Sequence, residues 1–151
     1  MSYNPPVGAA TASSRGVVKL TGDFGGTADS PTVPNMARAN LGGQETVSNV
    51  TAAASTTLNL TNGNVFYVTM ATSITSLTLS GATAGKACSM AMYIKQDATG
   101  SRSIAWPASV KWAGGASPTL STAANALDIV VLETLDNGTN WYGSLVGTAF
   151  A

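Results

Sequence analysis

From Val65 to Val146 the apolar residues come in short runs, and each run is closed within a few positions by Gly, Asn or Pro. A chain punctuated this often builds strands rather than long helices. The clearest run is Leu127, Ile129, Val130, Val131, Leu132, closed by Asp136, Asn137 and Gly138. Nearly continuous apolar residues, β-branched in the middle, predict a central strand buried on both faces. The turn hands over to Trp141 and Tyr142, which open a last strand through Leu145 and Val146, so the pair reads as a hairpin.

The same grammar holds upstream. Thr51 to Leu60 is a Thr, Ala and Ser segment ending in Leu58 and Leu60, and Asn62, Gly63, Asn64 form a turn. Val65 to Met70 is a strand with apolar residues on both faces, and Ile74 to Leu79 follows with Leu77 and Leu79 in phase. After a turn at Gly81 to Gly85, Cys88, Met90, Met92 and Ile94 alternate with Ser89, Ala91, Tyr93 and Lys95, which suggests a buried thiol at Cys88. Asp97 to Gly100 turns the chain into a strand holding Ile104 and Trp106 on one face. Pro107 restricts the preceding residue to extended geometry and predicts Trp106 as that strand's end. Val110 and Trp112 restart the phase ahead of a Gly114–Gly115 loop. Seven or eight strands at spacings of about eight to twelve residues predict an all-β fold, an antiparallel β-sandwich of jelly-roll type. No heptad pattern and no solenoid period is visible.

The first 44 residues read differently. Met1 to Ala12 holds Pro5, Pro6 and Gly8 and reads as an extended arm. Val17, Val18 and Leu20 make one short strand, followed by the glycine loop Thr21 to Gly26, and Pro34 to Leu41 a turn or two of helix closed by Gly42. The expected organisation is an arm and attachment segment over 1–44 and a β body over 45–151.

Two stretches resemble a known family. The order of a Trp-Pro strand end, "VKWAGG", "PTL", a hydrophobic strand with an acidic residue and "NGTNWYG" is similar to the C-terminal domains of fibre proteins of tailed bacteriophages, over roughly the last fifty residues. The run "GVVKLTGDFGGTADSPTVP", Gly16 to Pro34, resembles a segment repeated in phage tail and head fibres near an attachment or shaft region. The resemblance implies a non-enzymatic homotrimer on the particle surface, made in the cytoplasm of a bacterial host, whose short strands are completed by neighbouring copies. The arm, with Pro5, Pro6, Val17, Val18, Leu20 and Phe24, would dock on the major capsid protein or another virion protein. A small fibre starting at Met1 and ending at Ala151 suits a head decoration, with a tail fibre or a glycan-binding adhesion module as alternatives.

Composition narrows the chemistry. Only 9% of residues are charged, seven acidic and seven basic, with about a quarter Ser or Thr. Low charge suits flat β surfaces packed on neighbours better than a free monomer's surface. No basic cluster marks a nucleic-acid contact, and no long apolar run marks a membrane insertion or a secretory signal. The sequence has no His and a single Cys, so the usual general base, the usual triads and zinc cages have no residues to build them, and no catalytic residue, metal or cofactor is expected. A glycosidase needs two carboxylates about 5 to 9 Å apart. Asp128 and Glu133 differ by an odd number and so face opposite sides of a strand. Asp23 and Asp29 could hold calcium, but two solvated loop acids are the simpler reading. Of the tryptophans, Trp106 and Trp141 read as core, while Trp112, beside the glycine loop, is the candidate for contact with host cell-surface glycans.

Overall fold

The computed structural model describes residues 45–150, and within Met1–Gln44 the two short strands β1 (Gly25–Thr27) and β2 (Ser30–Thr32). The chain divides into two units, Met1–Gln44 and Glu45–Ala151. In the first, β1 and β2 pair antiparallel, with Gly26 opposite Pro31. They fall in and beyond the stretch that reads as a glycine loop. The arm residues Pro5, Pro6, Val17, Val18, Leu20 and Phe24, and the expected helical turn at Pro34 to Leu41, lie outside the described residues.

The second unit is all-β, with no α-helix among the described residues. Eight strands build it: β3 (Val47–Thr51), β4 (Ser55–Asn59), β5 (Val65–Met70), β6 (Ser76–Ser80), β7 (Cys88–Gln96), β8 (Val110–Trp112), β9 (Leu127–Thr134) and β10 (Trp141–Phe150). Six form one sheet in the order β3-β5-β7-β9-β10-β8, and β4 and β6 form a second.

The expected antiparallel pairing holds for only part of this body. β3 with β5, β5 with β7, β4 with β6, and β8 with β10 are parallel, whereas β7–β9 and β9–β10 are antiparallel. From β3 to β7 the chain alternates between the two sheets, so each strand lies beside the one two elements earlier. This is a winding coil. A period of two identifies which face a side chain takes but not the direction of the neighbouring strand, so the sequence pattern is silent on it. Val47 partners Val65, Ser55 partners Ser76 and Val65 partners Ala91, offsets that differ at every step. Unequal turns explain why no repeat is visible in the sequence.

Short corners make the winding work. Thr56 closes the corner between β3 and β4: its Oγ1 donates to the Ala53 carbonyl (2.8 Å) and accepts from the Ala53 amide (3.0 Å). The Ala54 carbonyl then accepts from the amides of Thr75 and Ser76, both at 2.9 Å, stacking the next corner onto this one. At the other end Asn59 accepts from the Thr61 amide (2.9 Å) and caps a single 3-10 turn, Leu60–Asn62. Gly81, at the end of β6, lies against that Asn59 side chain with φ of +83°, where a Cβ would collide.

Between β7 and β9 the chain makes an excursion of about thirty residues that joins the sheet only through the three-residue edge strand β8. The strand expected to end at Trp106 is reduced to one parallel bridge, Ile104 with Ile74, followed by loop. Pro107 donates no hydrogen bond; the Ile74 and Ala105 amides reach across to the Ser103 and Ile74 carbonyls, and the Ser103 amide to the Ser73 hydroxyl. The hairpin of β9 and β10 forms as the Asp136–Gly138 turn predicts.

One core cluster unites both sheets: Leu58 and Leu77 from the smaller, with Phe66, Val68, Met70, Met90, Met92, Ile94, Val130, Leu132 and Trp141 from the larger. β9 is central, but buried on one face only. Asp128, Val130, Leu132 and Thr134 are buried, whereas Leu127, Ile129 and Val131 are half-exposed. Cys88 is half-buried at the start of β7 rather than within the core.

Candidate interaction surface

The carboxylates serve as loop anchors. Asp97 accepts from the amides of Thr99 (3.0 Å) and Gly100 (2.8 Å) and from Arg102 Nε (3.0 Å) and Nη2 (2.8 Å). The Arg102 hydrogen bonds come first, and the Gly100 amide next, in holding this carboxyl below its ordinary range. Asp136 accepts from the amide and side chain of Asn140, both at 2.8 Å, and is likewise lowered, chiefly by that amide.

Asp128 is buried, and its carboxylate takes the Ser121 amide (2.6 Å), the Ser121 hydroxyl (2.7 Å) and the Ala149 amide (2.9 Å). Buried Gln96 donates to the carbonyls of Arg102 and Ser121 and accepts from the Arg102 amide, each at 2.9 Å. These two side chains therefore pin the long excursion to the sheet at both of its ends. These two buried polar side chains are tolerated because both are hydrogen-bonded. Glu133 faces outward and exposed while Asp128 faces inward, as their odd spacing requires. Among the described residues no group of three or more His, Cys, Asp or Glu is placed to hold a metal ion. Asp23 and Asp29 lie outside the described residues.

The aromatic residues define the surface more sharply. Trp141 is fully buried, and no described group accepts from its Nε1–H. Trp106 and Trp112 meet edge to face, centroids 5.0 Å apart and planes at 71°, and both are half-buried against the core. Trp112 lies over Gly143, which has no side chain to hold it off. The ring expected to be the exposed aromatic is thus partly enclosed, and the exposed loop Ala113–Ser117 follows it. Among the described residues the aromatic most open to solvent is Tyr142, 55% exposed, registered between Lys111 on β8 and Glu133 on β9. In the sequence Tyr142 reads as a strand start, and nothing in the pattern assigns it a face.

The large sheet has a second, outward face that no described element covers. Register sets its rows. Val47, Val65, Ala91, Val131 and Ser144 cross the sheet in one row, and Asn49, Tyr67, Tyr93, Ile129 and Gly147 in the next. The Phe150 ring folds over Gly147 and extends the apolar ground at the β10 margin. Of the six exposed large hydrophobic residues among those described, Val47, Tyr142 and Phe150 frame this face. The signal in the sequence was that β5, β7 and β9 carry apolar residues in both phases.

A body of wound and paired strands, with its described Asp residues spent on holding loops and a broad apolar sheet face left open, belongs to the class of structural β modules. No helix of the described residues is long and apolar enough to cross a membrane. A family model described as "putative phage tail fibre C-terminal domain" matches residues 50–141. The chain belongs to that family, and it is a structural fibre protein of a bacteriophage particle. No curated protein and no solved structure matches it.

Proposed function

We propose that this chain is a homotrimeric fibre of the phage tail that contributes to host attachment and carries no catalytic activity. The observation that carries the reading is the family match across residues 50–141, which takes in most of the β body. The family description favours the tail over a head decoration. Low charge and an uncovered apolar sheet face support association with further copies. The first 44 residues would supply the attachment to another virion protein, a role resting on their Pro and Gly content and on the resemblance of Gly16 to Pro34. Two measurements test this. The solution mass of the full chain by light scattering should be three times 15.1 kDa. Gold-labelled antibody against the chain should decorate phage tails in electron micrographs, and labelling confined to heads would overturn the tail assignment.

A second reading places a host glycan contact at Trp112, supported by the partly open ring beside an exposed loop. Trp112→Ala should abolish retention on host cell-surface polysaccharide while the far-ultraviolet circular dichroism stays unchanged. Retention at the wild-type level would sink the contact.

A further inference from the structure

We infer that the outward face of the six-stranded sheet is the surface through which the copies pack on one another, the tyrosine side of one copy against the aliphatic side of the next. The inference rests on the trimer reading above and adds to it a location. A sheet with one face in water alternates apolar with polar residues, whereas strands apolar in both phases belong to sheets covered on both faces. β5, β7 and β9 are of the second kind: their inward residues fill the core, and their outward Val65, Tyr67, Tyr93, Ile129 and Val131 are half-buried and lie outside the core cluster. Adjacent side chains shade one another along the rows, so the face is only partly wet in a single copy. The margins stay open, with Val47 53% and Phe150 45% exposed.

What covers this face is argued from its charge and its asymmetry. The outward positions of the six strands hold three charges: Lys95 in the row at one end of the face, and Glu133 with Lys111 in the row at the other. The Lys95 ammonium already donates to the Asn125 carbonyl. Such a face offers nothing to a polyanion or to a strongly charged partner, and a copy of itself meets it without like charges over its middle. The two halves also differ: in one row β5 and β7 present the Tyr67 and Tyr93 rings beside Ile129 of β9, and in the next row β9 presents Val131 beside the small Ala91 of β7. Around a threefold axis each contact is heterologous, so rings from one copy meet methyl groups from the next at the same level.

The test is the light-scattering mass of the full chain and three variants, each checked by circular dichroism. Tyr93→Lys and Val47→Lys place a charge at the middle and the margin of the face; Thr57→Lys places one on the exposed side of β4. Expected results are a trimeric wild type and Thr57→Lys variant, and folded Tyr93→Lys and Val47→Lys variants whose trimer dissociation constants rise at least tenfold, with monomer at micromolar concentration for Tyr93→Lys. If Tyr93→Lys fails to fold, Val47→Lys decides, because that side chain contributes little to the core. A trimeric wild type whose trimer is untouched by either substitution overturns this location and leaves the trimer reading standing. A monomeric wild type overturns both.

Discussion

The half of the sheet formed by β3, β5 and β7 and the half formed by β9 and β10 share a core, but they are held by different means. In the first, each parallel neighbour is reached through a strand of the second sheet, so every corner has to be stacked: Thr56 on Ala53, Ala54 under Thr75 and Ser76, Gly81 against Asn59. In the second, one turn suffices, and Asp136 with Asn140 closes it. Parallel pairing needs a crossover and antiparallel pairing needs only a hairpin, and that geometric cost decides where the small polar residues are spent. The lesson is that Thr, Ala and Ser between Thr51 and Ser80 are corner-formers in a coil, not filler between strands.

The sharpest way to break the comparison is to empty the core on each side. Phe66→Ala in the coil and Trp141→Ala in the hairpin should each cost about 3 to 5 kcal/mol in denaturant unfolding. If the halves are one cooperative unit, both variants show a single transition, and a second transition in either would separate them. Next come the pins between the halves. Gln96→Ala leaves the Arg102 amide and two carbonyls without their partner, and about 1 to 3 kcal/mol should be lost. Amide exchange should quicken in residues 102–121 before it does in β5.

Gly143→Ala comes third, because a methyl there meets the Trp112 ring and the two must part. Overpacking of this kind costs about 1 to 3 kcal/mol, and near-ultraviolet dichroism should report the disturbed Trp106–Trp112 pair. The smallest effect is electrostatic. Asp97 and Asp136 both have their carboxyls lowered from 3.8, so the stability they add is present above that value and is lost as pH falls through their depressed folded range. An acid titration should show a gradual loss that begins below about pH 4, and Asp136→Asn should flatten part of it at the hairpin without touching the coil.

Much of the strand content was legible. β5, β7, β9 and β10 follow from apolar runs and turn residues, and the hairpin from Asp136, Asn137 and Gly138. What was not legible was partnership. Alternation places Met90 and Ala91 on opposite faces, but it does not say that Val65 lies beside Ala91 in parallel. Trp106 misled because Ile104 and Trp106 are in phase, yet only Ile104 finds a backbone neighbour. On the candidate surface, Trp112 drew notice as a large ring beside glycines, while Gly143, which makes room for it, lies on β10, thirty-one positions further along the chain. Asp128 carried a readable hint, a lone acid inside an apolar run, whose partners Ser121 and Ala149 only the fold supplies.

The winding of β3 through β7 has a consequence for length. A coil that advances by one strand per turn grows along the sheet in steps of about 4.8 Å. Inserting one more corner-strand-corner-strand unit between β5 and β7 would lengthen the body by that step while the hairpin, its Asp136 turn and its Trp141 anchor stayed as they are. Because successive turns here already differ in residue count, the corners tolerate unequal loops, and the reach of such a module could be adjusted turn by turn.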